Sequence, residues 1–263
     1  ILNIINHQSL IATKTARVVF AAAGDGVMEF GLRRAQGPDA GLYGARAAMI
    51  GGCIGTYNVL AGQMFDVPVK GTHAHSWIMS FADEYTAFKT YAKLYPDACC
   101  LLVDTYDTLK SGVPNAIKVF TEMRESGIEL HNYGIRLDSG DLAYLSKKAR
   151  KMLDEAGFED AFISASNDLD EYLIHDLNIQ GAAITSWGVG TNLITSKDCP
   201  SFGGVYKLAA IQKEDGKFHS KIKLSENTEK ITNPGNKTVY RIYDKATRKM
   251  RADLICFCLL YTS

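Results

Sequence analysis

The segment that decides the fold reads Gly71-Thr72-His73-Ala74-His75-Ser76-Trp77-Ile78-Met79-Ser80-Phe81. The stretch Val67–Lys70 before it predicts a short buried strand. Ser76–Tyr95 after it predicts a helix, because apolar side chains recur there at helical spacing. The chain therefore turns from strand to helix on a polar tetrad, at the kind of sheet edge where α/β folds bind ligands. Two imidazoles and a hydroxyl at that edge could bind a phosphate, move a proton, hold a metal or accept a phosphoryl group.

The composition bounds the class of protein. The chain has 263 residues, is 46% hydrophobic and has zero formal net charge, so it can bury a sizeable core and has no general attraction to nucleic acid or anionic membranes. The six cysteines show no metal-binding spacing, and no signal peptide or membrane-spanning run occurs. We therefore expect a soluble cytoplasmic protein. Since the chain lacks an initiator Met and closes on the apolar run 256–263, we also expect a fragment whose last residues are not native.

Short apolar strands alternate with helices along most of the chain, which predicts an α/β fold with a parallel sheet. With this many units in series, a barrel is favoured over an open sheet, and we assign it to residues 1–213. Residues 214–263 lack helical patterns and predict an antiparallel β subdomain. The predicted helices include Ser9–Ala23, Gly41–Gly62, Thr108–Ser126, Asp141–Ala156 and Asp168–Leu177; the predicted strands are Val27–Leu32, Val67–Lys70, Ala98–Val103, Tyr133–Leu137, Ala161–Ala165, Ala182–Ser186, Val205–Ile211, Lys217–Leu224, Thr238–Tyr243 and Lys249–Ile255.

Polar side chains follow most of the predicted parallel strands. Because the carboxyl ends of barrel strands meet at one rim, these groups should converge on one site. The alternative is that strand ends are simply solvated, and the size of the set argues against it. Its members are Arg33, Thr72, His73, His75, Asp104, Arg136, Asp138, Ser166, Asn167, Asp168, Gly188, Gly190 and Thr191.

The segment Arg136–Asp141 is the second focus. On a strand, the two-residue period places Arg136 and Asp138 on one face. A guanidinium is a natural bidentate partner for a carboxylate or a phosphate. An Arg–Asp ion pair inside the barrel mouth explains the motif equally well.

A glycine loop follows the strand predicted at 182–186. Backbone N–H groups beside Gly188 and Gly190, with the Thr191 hydroxyl, could bind an anion, and late barrel loops often hold phosphate. Glycines more often only make turns, so the position of the loop carries this interpretation.

The pair His73 and His75 invites a test for a metal site. An H-x-H motif at a barrel strand end needs further ligands from later strand ends. The later histidines, His131, His175 and His219, lie before a strand, within a helix and in the antiparallel part. We therefore predict no protein-held metal site, and we assign His73 to a core or capping role.

Several stretches, taken together, resemble the bacterial type of the nicotinate phosphoribosyltransferase family. They occur in the family's order from the first residues to about Ile211, and the likeness is looser beyond Lys213. The matching stretches are Phe30–Asp39, Gly71–Trp77, Val103–Asp107, Arg136–Asp141, Ser166–Glu171, Gly188–Thr191 and Gly203–Leu208.

The resemblance implies an incomplete TIM-like barrel of the type II phosphoribosyltransferases, without the family's amino-terminal part. It implies an enzyme that joins nicotinate to 5-phosphoribosyl 1-pyrophosphate (PRPP), with ATP hydrolysis coupled and Mg²⁺ required, in NAD salvage. By the family's motif, His75 becomes phosphorylated, Thr72 and Arg136 bind nicotinate, and Thr191 binds PRPP. Arg33, Asp138, Gly188 and Gly190 fall on pocket positions. A homodimer is implied for the full-length protein.

Two alternatives stay open at this point. One is a related transferase that acts on nicotinamide or quinolinate. The other is a non-catalytic barrel that senses a phosphate or a nucleotide.

Overall fold

The structure, a computed structural model, describes residues 1–257, so the expectation of non-native terminal residues lies mostly outside it. The helices are α1 (Leu2–Ala21), α2 (Pro38–Ile50), α3 (Val59–Phe65), α4 (His75–Met79), α5 (Glu84–Leu94), α6 (Val113–Glu125), α7 (Leu142–Glu155), α8 (Glu171–Ile179) and α9 (Thr191–Ile194). The strands are β1 (Gly26–Glu29), β2 (Gly55–Thr56), β3 (Cys99–Leu102), β4 (Tyr133–Leu137), β5 (Phe162–Ala165), β6 (Ser186–Val189), β7 (Ala210–Gln212), β8 (Phe218–Ser220), β9 (Thr238–Tyr243) and β10 (Met250–Cys256).

The first six strands form one parallel sheet in the order β2-β1-β6-β5-β4-β3. Helices α6, α7 and α8 connect successive neighbours from β3 to β6, as parallel pairing requires. β6 then pairs with β1, and β1 pairs with β2. The predicted parallel sheet with crossover helices is therefore confirmed.

One segment contacts both edge strands of this sheet. Lys70 N donates to the carbonyl oxygen of Thr56 on β2 at 2.9 Å. A few residues later, the Leu102 N–H on β3 donates to Nε2 of His73 at 3.2 Å. The strand predicted at Val67–Lys70 is thus reduced to a single parallel bridge between Val69 and Thr56. The contact with β3 is made by the His73 side chain and not by the backbone of a further strand.

The core lies between the sheet and its helices. The strand β3 is buried along its whole length, as expected for a strand of a parallel sheet covered on both faces. The largest fully buried side chains include Trp187, Phe88, Phe120 and Phe158. The last two contact Tyr133 edge-on at the start of β4. These contacts pack the amino end of β4 into the core.

Two predicted helices are each divided in the structure. The one expected over Gly41–Gly62 becomes α2, β2 and α3, because Gly52 has a φ of +107° that a helix excludes and the Asn58 side chain caps a new helix. The one expected over Ser76–Tyr95 becomes α4 and α5. Asp83 caps the second of these by accepting from Thr86 N at 2.8 Å.

Two late strands were misplaced by the sequence pattern. The strand predicted at Ala182–Ser186 lies at Ser186–Val189, so Gly188 belongs to the strand and not to a loop. The barrel strand predicted at Val205–Ile211 is absent. Only Ala210–Gln212 is a strand, and it pairs antiparallel with β8.

The chain divides into two compact units between Phe202 and Gly203. Residues 203–213, which the sequence placed in the barrel domain, therefore group with the second unit. That unit contains two separate antiparallel pairs, β7–β8 and β9–β10, and the second pair carries an Arg241–Asp253 ion pair at 2.9 Å. Within residues 1–257, no helix is both long enough and apolar enough to cross a lipid bilayer.

Candidate functional site

A cavity of about 420 Å³ opens at the carboxyl ends of the parallel strands. All eight site residues predicted from the sequence line it, although they come from four separate segments of the chain. They are Arg33, Thr72, His75, Arg136, Asp138, Gly188, Gly190 and Thr191. The structure therefore brings the predicted imidazole, guanidinium and glycine segment to one place. Their individual roles stay predictions.

A larger cavity of about 1140 Å³ lies at the amino ends of the strands. The two cavities share only the segment 71–74. Apolar side chains such as Trp77, Leu94 and Tyr95 line the larger one, and no carboxylate among the described residues does. The smaller cavity holds the arginines and the carboxylates, and it lies at the end of the strands where α/β folds place their chemistry. We therefore take the smaller cavity as the candidate site.

The Arg136 guanidinium is held by several neighbours at once. Its Nε donates to the Ser166 hydroxyl at 2.8 Å, and its Nη1 donates to the Thr72 hydroxyl at 2.7 Å. Nη2 forms an ion pair with Asp138 at 3.2 Å, so the ion pair that the sequence left open is present. Nη1 also makes a longer contact with the His73 carbonyl oxygen. Four of the five guanidinium N–H groups are therefore used, and one N–H of Nη2 is left for a ligand. The bidentate contact expected from the sequence would need one of these partners to be released.

Asp138 is kept ionised by its surroundings. Burial alone would raise its pKa, but a hydrogen bond from the Ser166 hydroxyl and the charge of Arg136 outweigh burial and leave the pKa below its ordinary value. Ser166 therefore links the two residues, because its hydroxyl accepts from Arg136 and donates to Asp138. The three side chains form one hydrogen-bonded group on the wall of the cavity.

His75 lies between two carboxylates. Its Nε2 is 3.6 Å from Asp138 Oδ2 and 3.9 Å from Asp104 Oδ1, and its Nδ1 is 3.0 Å from the Thr105 hydroxyl. The imidazole is 39% exposed, whereas the Asp104 carboxylate is 2% exposed. Asp104 Oδ2 accepts from the backbone N–H of Asp138 and the Ser139 hydroxyl, while Oδ1 has no hydrogen-bond partner. An accessible nitrogen base beside buried negative charge is suited to taking a proton or a phosphoryl group.

The His73 side chain packs into the core, although residue 73 also borders the cavity. It is buried, its ring packs against Tyr91 with centroids 4.6 Å apart, and its Nε2 accepts from Leu102 N–H. Burial lowers its pKa to about 4, helped by the nearby positive charge of Arg136 and by His75. The core role assigned to His73 from the sequence is confirmed.

Two glycines, one near the end of β6 and one directly after it, allow a close approach by Phe30. A Cβ on Gly188 would lie 2.6 Å from the Phe30 ring, and a Cβ on Gly190 would lie 2.9 Å from the Phe30 carbonyl oxygen. Any larger residue at either position would displace the aromatic wall of the cavity. The anion-binding role expected for this loop stays a prediction.

Sequence reasoning did not single out the aromatic wall or its support. The Phe30 ring lies edge-on to Tyr57, with centroids 5.7 Å apart, and Arg136 Cζ lies 5.8 Å from the Phe30 centroid. The Tyr57 hydroxyl accepts from Arg33 N–H at 3.0 Å. Behind them, the buried Glu29 carboxylate accepts from Thr56 and Gly31, and burial raises its pKa. The sequence offered two signals for Phe30: its position directly after β1 and its place at the start of the family-like stretch Phe30–Asp39.

Known proteins resemble this chain in sequence and in fold. The Bacillus subtilis nicotinate phosphoribosyltransferase is 57% identical over 97% of this chain and 51% of its own length. The Dictyostelium discoideum nicotinate phosphoribosyltransferase is 41% identical over 92% of this chain and 48% of its own length. The crystal structure of human nicotinic acid phosphoribosyltransferase superposes with a TM-score of 0.76 at 29% identity, covering 95% of this chain and 56% of that one.

The chain spans about half the length of the curated relatives it matches. The sequence profile of the nicotinate phosphoribosyltransferase (NAPRTase) family matches residues 26–230, which include all of the candidate site. The chain therefore belongs to the nicotinate phosphoribosyltransferase family.

Proposed function

We propose that the intact protein joins nicotinate to PRPP, giving nicotinate mononucleotide and pyrophosphate. The observation that carries this proposal is that His75, Arg136 and Thr191 line one cavity at the carboxyl ends of the strands. Family membership supports the same reaction. A homodimer and a place in NAD salvage are parts of the proposal that rest on the resemblance alone, and a cytoplasmic location is a part that rests on the composition.

We further propose that the first unit is an incomplete TIM-like barrel of the type II phosphoribosyltransferases. The pairings supply the support, since strand order around the sheet follows chain order and β6 returns to β1. The segment carrying Val69 and His73 contacts β2 on one side and β3 on the other, where a closed barrel would have a strand.

The polar wall suits the two substrates. Nicotinate is a carboxylate, and the charge of Arg136 attracts it while the Phe30 ring beside that guanidinium offers an aromatic face for the pyridine. Cleavage of the bond to pyrophosphate develops positive charge on the ribose. The ionised Asp138 carboxylate in the same wall stabilises such charge.

His75 is proposed to accept the γ-phosphoryl group of ATP, with ADP as the other product. Its exposure and its contact with the Thr105 hydroxyl support this role. Asp104 and Asp138 fit Mg²⁺, because carboxylate oxygens are its preferred protein ligands and one Asp104 oxygen has no partner. Within residues 1–257, no group of three His, Cys, Asp or Glu side chains could hold a metal ion, so substrate oxygens would complete the coordination. Bound Mg²⁺ would supply positive charge against the leaving pyrophosphate.

Turnover of competing bases tests the reaction. Radiolabelled nicotinate, nicotinamide and quinolinate are offered separately to the intact protein with PRPP, ATP and Mg²⁺. We expect nicotinate to react best. Arg136→Lys should lower kcat/KM for nicotinate by about tenfold or more, since lysine cannot hold all three partners. Arg150→Lys is the matched control, because Arg150 also makes several hydrogen bonds but lies on α7, away from the cavity.

Two outcomes would contradict the proposal. Preference for nicotinamide or quinolinate would favour the other transferases. PRPP binding without any nucleotide product would favour the sensing barrel.

The role of His75 has its own test. After incubation with γ-labelled ATP, the wild-type protein should carry acid-labile phosphate, and His75→Asn should carry none. His131→Gln, an exposed histidine outside the cavity, should label normally. Labelling of His75→Asn at the wild-type level would contradict the phosphohistidine.

A further inference from the structure

Asn192 joins two of the loops that form the candidate site. It is the second residue of α9, directly after Thr191, and is 2% exposed. Its side-chain Nδ2 donates to the carbonyl oxygens of Asp168 at 2.7 Å and Leu169 at 3.1 Å. Both N–H groups of the amide are thereby used. One buried side chain thus ties the loop after β6 to the loop after β5.

The loop that Asn192 holds has an unusual backbone. Asn167 has a φ of +103° and Asp168 a φ of +34°, so two consecutive residues other than glycine have positive φ. Such residues rarely adopt this conformation unless the surroundings impose it. The carbonyl groups of Asp168 and Leu169, which Asn192 binds, lie at the end of this turn. The two hydrogen bonds can therefore hold the backbone in this conformation.

Both tied loops supply groups to the cavity. Thr191 lines it from one loop, and Ser166 and Asp168 line it from the other. Ser166, which orients Arg136, is anchored separately, because its backbone N–H donates to the Leu137 carbonyl oxygen at 2.9 Å. Movement of either loop would therefore change the distance between Thr191 and the opposite wall.

We infer that Asn192 is a positioning residue, whose amide holds the strained 167–168 turn against α9 and so sets the part of the cavity that receives the phosphates of PRPP. The identity of the ligand rests on the proposed function. The tie between the loops rests only on the two hydrogen bonds and the backbone geometry. Asn192 is not among the residues that line the cavity, so it acts through Thr191 and Asp168.

Calorimetry on the intact protein tests the inference. Asn192→Asp keeps the shape but loses both donors, and it should weaken PRPP binding about tenfold while changing nicotinate binding less than twofold. Asn178→Asp is the matched control, because it also loses an amide donor to a backbone carbonyl, that of Ala21 at 3.0 Å, but lies outside the cavity. It should change neither affinity. Equal losses for both ligands in Asn192→Asp would indicate general damage and overturn the inference.

Two further measurements distinguish an effect on the strained 167–168 turn from general damage to the fold. Glycine adopts positive φ without steric cost, so Asn192→Asp should weaken PRPP binding less in an Asn167→Gly background than in the wild type. An equal loss in both backgrounds would contradict the role of the turn. Hydrogen exchange of the amides in segment 166–169 should speed up at least tenfold in Asn192→Asp and stay unchanged in Asn178→Asp.

Hydrogen exchange also keeps the two proposals apart. Were the wild-type protein to bind no PRPP, the proposed function would fail, yet the exchange rates would still decide whether Asn192 holds the turn. Unchanged exchange in Asn192→Asp would overturn the inference whatever the ligand is.

Discussion

Acid should weaken the fold through His73. Its buried imidazole accepts a hydrogen bond from Leu102 N–H and can do so only when Nε2 is unprotonated. Burial lowers its pKa in the folded protein to about 4 from an ordinary 6.5. Between these two values the unfolded chain binds a proton that the folded chain does not, so stability falls as pH falls through this window. At about 1.4 kcal/mol per pH unit, the loss reaches about 3 kcal/mol by pH 4.

Urea unfolding of the wild type and of His73→Gln measures this loss. Glutamine does not titrate, so every other group contributes equally to both proteins and cancels in the difference. We expect the wild type's advantage in free energy of unfolding to shrink by about 2 kcal/mol between pH 7.5 and pH 5. His131→Gln, at a histidine that is 67% exposed, should track the wild type within about 0.5 kcal/mol at each pH. A gap between wild type and His73→Gln that stays constant with pH would refute the reasoning.

Two further substitutions test packing that supports the site. Gly112→Ala should cost more than about 3 kcal/mol in urea unfolding, because the new Cβ would lie 1.8 Å from the Val103 carbonyl oxygen; a loss below about 1 kcal/mol would contradict this contact. Lys14→Met should lower the free energy of unfolding by about 3 kcal/mol, since it removes the 2.6 Å ion pair to the buried Glu171 carboxylate. Lys151→Met, which removes an exposed i,i+4 ion pair, should lower it by less than about 0.5 kcal/mol. Equal losses in the two variants would contradict the role of burial.

The alternation of strands and helices was predictable where local signals agree. The strand β4 coincides with its predicted bounds, and α7 begins and ends within one residue of its prediction. The strand is an apolar run that ends before a glycine turn, and the helix begins at the Asp141 cap and ends before Gly157. Convergence of the strand ends on one cavity follows from the parallel topology, which such patterns reveal.

Glycines and caps explain most of the errors. Gly188 suggested a loop, but it lies within β6, where the Phe30 ring occupies the space that a side chain would need. The break between α4 and α5 depends on the Asp83 cap, which competes with an apolar pattern that continues through it. A sequence pattern does not show which of two such local signals tertiary packing will favour.

The hydrogen-bond network of the site was also beyond the sequence. Ser166 was recognised as a strand-end residue, but its contacts with Arg136 and Asp138 depend on the register of β4 against β5. Asn192 had no distinguishing sequence feature, since its role depends on a loop more than twenty residues earlier. Contacts of this kind are set by three-dimensional proximity and rotamer choice.

A crystal structure of the intact protein with nicotinate mononucleotide bound tests most directly whether these residues form one phosphoribosyl transfer site. We predict the pyridine ring beside Phe30 and Arg136, and the phosphate at the loop containing Gly190 and Thr191. A nucleotide found in the cavity at the amino ends of the strands, or bound away from Arg136 and Thr191, would contradict the assignment.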